Sequence, residues 1–485
     1  MAPTWRGGVQ GLQALVQHCS TGGRLMARPN PGTSYAAASH INGSSTLFDT
    51  RLYSSEGSTR GIGQPSWART AADASINVLV NAVTRPGVDD PTLKVADPRQ
   101  TGMEVEGGYD MQEDLALDLS RRPRPELSSS WVEAAQRVDP FKLVESDMRS
   151  LSAGIKSLLG TDHPVLEACA KYLFERDGGK KIRPTMVLLV ARAAAAHAPR
   201  SGSNVNGHHA SDPESPGPLP SQKRLAEITE MIHTASLFHD DVIDEADARR
   251  GVPSINKLYG NKMAILAGDF LLARASVSLA RLRNVEVVEL LSTVIEHLVK
   301  GEVMQSRPQA LLDGSGATDD GRAALEYYLH KNYYKTGSLM ANSCRAAVLL
   351  AGHGEALQAQ AFAYGRHVGL AFQLVDDVLD FEQSSEILGK PALNDLRQGL
   401  ATAPVLLAAQ RFPREVAELI KRKFRSEGDV EKALELVERG DGLRQAKDLA
   451  SVQAEQAMEA ALTMHPSPAR DGLIKLASLV VHRTS

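Results

Sequence analysis

Cysteine is scarce in this chain. The three residues, Cys19, Cys169 and Cys344, stand far apart with no CxxC pair, which excludes a disulfide framework and a structural zinc site and suits a reducing interior. An excess of positive charge is missing too. With a net charge of -4 and a pI near 6.4, the chain lacks the basic footprint of a nucleic-acid binder. No apolar run approaches the roughly 18 uninterrupted residues of a membrane span, so no transmembrane segment is expected. Strand-like alternation and NG or DG turns between β-branched runs are absent as well, which argues against a sheet protein. Finally, no Asp or Glu occurs before Asp49, while Arg6, Arg24 and Arg28 lie among many Ser, Gly, Ala and Thr. An acid-poor, Arg-containing, Ser-rich start reads as an organelle transit peptide, and Gly11 to Val16 is too short and polar for a secretory core.

What is present divides the chain in two. Residues 1–130 read as transit peptide and disordered linker, because 85–125 is rich in Pro, Gly and acids without a sustained period. From Trp131 onward apolar residues recur at steps of three and four, as in Phe141, Val144, Met148, Leu151, Ile155, Leu158 and Leu159, the pattern of amphipathic helices. Residues 131–485 are therefore predicted to be all-α, about a dozen helices on one core. Two inserts, 197–222 and 307–321, read as surface loops. The pair His208-His209 lies in the first without carboxylate or Cys partners, so no metal is assigned to it.

The most informative stretch is Ile232 to Gly251, which contains His239-Asp240-Asp241-Val242-Ile243-Asp244 and Arg249-Arg250-Gly251. No Gly or Pro interrupts it before Gly251, which predicts one helix. Residues four apart share a helix face, so Asp240 and Asp244 converge as two carboxylates. They repel unless a cation joins them, and Mg2+ characteristically takes one or two carboxylates plus substrate phosphates. A second DDxxD follows in Gly369 to Phe381, with Asp376, Asp377 and Asp380. Two inward carboxylate faces in one helical body can hold several Mg2+ ions around a single diphosphate. Cations accompany them. Gly178-Gly179-Lys180-Lys181-Ile182-Arg183-Pro184 is a glycine turn feeding a helix N-terminus, a natural anion site, and Lys335-Thr336 places charge and hydroxyl in an apolar helix. Leu388-Gly389-Lys390-Pro391 follows the second cluster.

These five motifs, in this order, resemble the trans-isoprenyl diphosphate synthases, over roughly Asp139 to the C-terminus. The resemblance implies a large helical bundle of the isoprenoid synthase type. It implies too that an allylic diphosphate ionises with Mg2+ and is attacked by the double bond of isopentenyl diphosphate in head-to-tail condensation, with loss of a proton. Carried over, Asp240, Asp244 and Asp376 become metal ligands, with Asp241, Asp377 and Asp380 as further candidates. Lys180, Arg183, His233 and Arg250 fall where isopentenyl diphosphate is held. Arg249, Lys335, Thr336, Gln373 and Lys390 fall where the allylic diphosphate is held. Asp240, Asp244, Arg249, Lys335 and Asp376 are the expected catalytic set. One departure stands out: short-chain members carry a lysine in a DLxxGK pattern where this chain reads Asp395 to Leu400, so charge sits at Arg397 or is lost.

Product length follows from room beside the first Asp helix. Ala235 and Ser236 lie one turn before Asp240, where short-chain enzymes carry aromatic residues, so a long polyprenyl product of the solanesyl or decaprenyl kind is expected. Such a product supplies the side chain of an organellar quinone, ubiquinone if mitochondrial or plastoquinone if plastid. The resemblance implies a homodimer, with a heteromer as alternative and a peripheral membrane contact for product release. A non-catalytic subunit should have lost carboxylates or cations, and a terpene cyclase has no second diphosphate for His233 and the Gly-Gly-Lys turn to hold.

Overall fold

In the computed structural model, helix after helix starts where the sequence supplies a start signal, and the two carboxylate clusters fall on the last turns of two long helices. The model describes residues 120–160, 163, 164, 166–169, 172, 181–197, 217–249, 251–306, 322–382 and 393–483, all within one compact unit, 106–485. The transit and linker reading of 1–119, most of both inserts, His208-His209, Cys19, Lys180, Arg250 and Lys390 lie outside the described residues.

The long helices are α1 (Pro125–Ala134), α2 (Glu145–Leu158), α3 (Ile182–Ala195), α4 (Pro220–Ile243), α5 (Asn261–Arg281), α6 (Val285–Ser306), α7 (Arg322–Asn332), α8 (Ser338–Leu350), α9 (Glu355–Glu382), α10 (Ala403–Ala409), α11 (Pro413–Lys421), α12 (Asp429–Arg439), α13 (Gly442–Leu462) and α14 (Pro468–Val481). Short helical turns at Pro140–Leu143, Ile255–Tyr259 and Asn394–Gln398 join them, and a π-helical turn, Tyr333–Gly337, links α7 to α8. The expected all-α fold is what the chain adopts. Its one departure among the described residues is a two-residue antiparallel ribbon, β1 (Ala248–Arg249) on β2 (Val252–Pro253).

Proline sets several starts, at α1, α4, α10, α11 and α14, since its missing N–H is no loss in a first turn. At α4 the Gln222 side chain also accepts the Leu219 N–H at 2.8 Å. From there α4 buries Leu225, Ile228, Met231, Ile232, Ala235 and Phe238, steps of three and four that turn one face to the core. Of the three apolar clusters among the described residues, two lie beneath the carboxylate helices. Leu188, Met231, Phe238 and Leu271 belong to one, beneath the first carboxylate helix. Leu374, Val378, Leu406 and Leu436 belong to the other, beneath the second.

Three expectations change. The folded body reaches back beyond Trp131: α1 starts at Pro125, Arg121 and Arg124 pair with Glu459, and the Arg124 N–H donates to Glu455 at 2.7 Å. Apolar periodicity over Leu400 to Phe412 predicts a helix there, but it starts at Ala403, whose N–H is docked on the Asp377 carboxylate at 3.1 Å. Helix α5 is long and apolar enough by composition to cross a membrane, although no uninterrupted apolar run was found. It carries Lys262, Asp269 and Arg274 and packs along α4.

Candidate active site

The first cluster ends α4 rather than lying inside a longer helix. Asp244 is the C-cap, Glu245 takes a left-handed φ of 51°, and the Ala246 N–H returns to the Asp241 carbonyl at 2.9 Å, a Schellman closure. The predicted helix to Gly251 is thus corrected. Four carboxylates at the negative end of a helix dipole disfavour its continuation, and the ribbon folds Arg249 back onto Asp241. The guanidinium meets the Asp241 carboxylate at 2.7 and 2.8 Å, and Asp241 is buried.

Asp240 and Asp244 are left to each other. Neither has an ion pair or side-chain hydrogen bond among the described residues. Burial pushes the Asp240 carboxyl up to about 6, with Glu302 and Asp244 adding repulsion while Lys335 and Arg249 pull it down. Asp244 is shifted upward by the same causes, burial first. Lys335, on the π turn, faces both, and its Nζ is held by Glu302 at 2.5 Å. Gly301 makes room for it, since a Cβ there would lie 2.6 Å from Lys335 Cγ. π turns recur at functional sites because they shift side chains out of helical register.

The second cluster divides in the same way. Asp377 is buried and satisfied: Tyr328 donates its hydroxyl, Gln373 Nε2 donates at 3.2 Å, and the Thr336 hydroxyl meets Gln373 Oε1 at 3.3 Å. Asp380 accepts the N–H groups of Asn394 and Asp395 at 3.2 Å. Asp376 is paired with Arg483 at 2.6 Å, 45% of its side chain remaining exposed. Desolvation pushes its carboxyl up to about 6, while Arg483 and Arg183 draw it down. Arg483 also donates to the Phe372 carbonyl at 2.8 Å and stacks on that ring at 3.8 Å.

Arg183 bridges the two halves. Its Nη1 lies 3.0 Å from His233 Nε2 on α4, and its charge reaches Asp376 on α9. It stands on the first turn of α3, whose N-terminus has no side-chain cap, leaving free N–H groups for an anion. On α4, one turn above Asp240, Ala235 is fully buried and Ser236 is half-buried, its hydroxyl turned back to the His233 carbonyl at 2.9 Å.

Sequence reading missed Glu302, Arg483, Tyr328 and the neighbouring Lys331, and gave no site role to Asp395. Lys331 lies 5.2 Å from the Tyr328 ring centroid and burial lowers its pKa. Asp395 is raised to about 7 by burial and then by Asp377 and Asp380. The Asp-Leu pair at 395 pointed to the last of these, whereas nothing local marks Arg483.

Among the described residues no three His, Cys, Asp or Glu converge as a closed metal site. Mg2+ with phosphates uses few carboxylates, the other positions being left to water and substrate. The unpaired Asp240 and Asp244 fit it.

A helical bundle with paired carboxylate helices and cations between them defines a prenyltransferase, and the chain belongs to the polyprenyl synthetase family, whose model matches residues 163–437. The family depends on Mg2+. Among its relatives, a probable mitochondrial hexaprenyl pyrophosphate synthase of Neurospora crassa is 48% identical over 71% of this chain and 82% of its own. The human all trans-polyprenyl-diphosphate synthase PDSS1 is 42% identical over 71% and 77%. The crystal structure of a decaprenyl diphosphate synthase from Rhodobacter capsulatus superposes with a TM-score of 0.60 at 30% identity, covering 72% of this chain and 99% of that one. A Caulobacter crescentus polyprenyl synthase complexed with calcium and isoprenyl diphosphate gives 0.59 at 32% identity, covering 71% and 97%. Several relatives carry mitochondrial in their names, which the acid-poor start of this chain matches.

Proposed function

We propose that this chain is a mitochondrial long-chain trans-polyprenyl diphosphate synthase that extends an allylic diphosphate with isopentenyl diphosphate to make a quinone side chain. The observation that carries this reading is the unpaired Asp240–Asp244 pair beside Lys335, with Arg183 linking His233 of the same helix to Asp376 on α9.

Asp240, Asp244 and Asp376 would hold Mg2+, several ions for one diphosphate. Held by these carboxylates, Mg2+ would supply positive charge to the departing diphosphate. Lys335, with Thr336 and Gln373 beside it, binds and orients that diphosphate. Arg183 and His233, with Lys180 and Arg250, hold isopentenyl diphosphate so that its double bond meets the allylic carbon. The C–O bond to diphosphate breaks, the new C–C bond forms, and a proton leaves the isopentenyl unit. No side chain need act as nucleophile, because fixed charge does the stabilising. Arg249 supports the site through Asp241, and Lys390 is assigned with Lys335 to the allylic diphosphate.

Ala235 and Ser236 leave space for a growing chain, which supports the long product. A homodimer is supported by exposed apolar residues on adjoining α5 and α6, Ile265, Leu266, Val277, Val299 and Val303, a face whose cover excludes water. Incubation with Mg2+, radiolabelled isopentenyl diphosphate and a short allylic diphosphate tests the reading. Long-chain product supports it. No incorporation by a folded protein points to a non-catalytic subunit of a heteromer, and a cyclic hydrocarbon points to a cyclase.

A further inference from the structure

Beside Asp244 opens a cavity of about 320 Å³. Asp244, Glu245 and Glu302 contribute carboxylates to its lining, Lys423 and Arg425 contribute cations, and Gly399 and Leu400 contribute backbone and apolar surface. The carboxylates belong to the first cluster and its surroundings. The cations have no role in the site as assembled so far. Among the described residues neither Lys423 nor Arg425 has an ion pair or a side-chain hydrogen bond, whereas the adjacent Arg422 is spent on Asp429 at 2.7 and 3.2 Å.

The placement of these cations is fixed by unusual backbone. Helix α11 ends with the Lys423 N–H on the Ile420 carbonyl at 2.9 Å and the Phe424 N–H on the Leu419 carbonyl at 3.1 Å. This closure puts Lys423 at φ 54° and Phe424 at φ 51°, where glycine is the usual occupant. A lysine at such a position is strained, and its side chain is what glycine would lack. Phe424 is buried in the second core and pins the turn. Gly399, at φ 87°, lets the turn approach: a Cβ there would meet Lys423 Cβ at 3.0 Å and its carbonyl oxygen at 3.2 Å. Lys423 is therefore seated against the residue next to Leu400, where the sequence has lost a cation.

We propose that Lys423 and Arg425 form a phosphate clamp that binds the diphosphate of the allylic substrate at the Asp244 side of the site. The proposal rests on the synthase reading above. A cavity edged only by Asp244, Glu245 and Glu302 would repel a diphosphate. Glu302 is neutralised by Lys335, and the two cations offset Asp244 and Glu245, with Lys as a point charge and Arg as a bidentate donor to phosphate oxygens. The selectivity follows from position: Asp244 and, through its ion pair with Glu302, Lys335 tie this cavity to the allylic side, whereas Arg183 and His233, assigned to isopentenyl diphosphate, do not line it.

The test uses the full chain with Lys423→Gly, Arg425→Gln and the double variant. Glycine suits φ 54°, so Lys423→Gly should melt at an equal or higher temperature than wild type while losing the charge. The expected result is a KM for the allylic diphosphate raised about tenfold in the double variant (~1.4 kcal/mol per decade), with the KM for isopentenyl diphosphate within about twofold. Inorganic pyrophosphate with Mg2+, titrated calorimetrically, should bind correspondingly more weakly, and Lys423→Arg should recover most of the loss. Unchanged allylic KM and pyrophosphate affinity, or equal weakening for both substrates, would overturn the clamp. If wild type makes no product at all, the synthase reading fails, while the pyrophosphate titration still decides the clamp.

Discussion

Asp240 shows how a single residue can be costly to the empty protein and useful to the loaded one. Its folded pKa is raised from 3.8 to about 6 by burial, so the folded state binds its proton more tightly than the unfolded chain does. The stabilising contribution is then fully present below about 4 and is lost as pH rises through about 6. Asp240→Asn should therefore raise the melting temperature of the ligand-free protein at pH 7.5, by the equivalent of about 1–3 kcal/mol at ~1.4 kcal/mol per pKa unit. The gain should vanish near pH 4. Melting curves of both proteins across this range check it, and a pH-independent difference would dismiss burial as the cause. Mg2+ with pyrophosphate should stabilise wild type more than the variant. At this scale the pairing of Asp240 with Asp244 was legible, because i, i+4 geometry places them together. The retirement of Asp241 and Asp377 into buried hydrogen bonds was not, since their partners, Arg249, Tyr328 and Ala403, come from elsewhere in the chain.

Among elements, the π turn at Tyr333–Gly337 decides where Lys335 points. It is wedged between α6 and α9, where a Cβ on Gly301 would strike Lys335 and one on Gly369 would lie 2.7 Å from Gly337 Cα. Gly301→Ala should push Lys335 away from Asp240 and Asp244, lowering kcat for condensation. Overpacking of this sort destabilises by about 1–3 kcal/mol, readable by denaturant unfolding. Normal kcat in a destabilised variant would separate the turn from the chemistry. Periodicity gave one helix over 323–352, and the wedge was invisible because it depends on glycines of two other helices. The end of α4 escaped notice for a related reason. A run without Gly or Pro reads as unbroken helix, yet Glu245 accepts a left-handed φ and the chain turns. Arg483, from beyond α14, reaches Asp376 only through tertiary packing, so no motif announces it.

Seen as a whole, the molecule places carboxylate clusters at the C-terminal, negative ends of two helix dipoles, α4 and α9. Such ends favour cations, and Lys335, Arg183 and Arg483 supply them. The all-α class was readable from spacing alone, and the family from five motifs; the folded boundary at Pro125 was hidden under linker-like composition. Two outcomes belong to this scale. Ala235→Phe or Ser236→Phe, which narrow the space beside α4, should shorten the product, and reversed-phase chromatography showing unchanged length would remove Ala235 and Ser236 from chain-length control. A charge placed on the α5–α6 face, as in Val299→Asp, should lower the apparent mass in sedimentation if that face joins two copies; an unchanged mass would move the interface elsewhere.

The pairing of the two carboxylate helices is tested most directly by single-turnover condensation with Mg2+, radiolabelled isopentenyl diphosphate and an allylic diphosphate, comparing wild type with Asp240→Ala and Asp376→Ala at matched helical content by circular dichroism. Each variant alone is expected to reduce the rate by several orders of magnitude while remaining folded. Either variant condensing at near wild-type rate would contradict a shared metal–diphosphate site between α4 and α9.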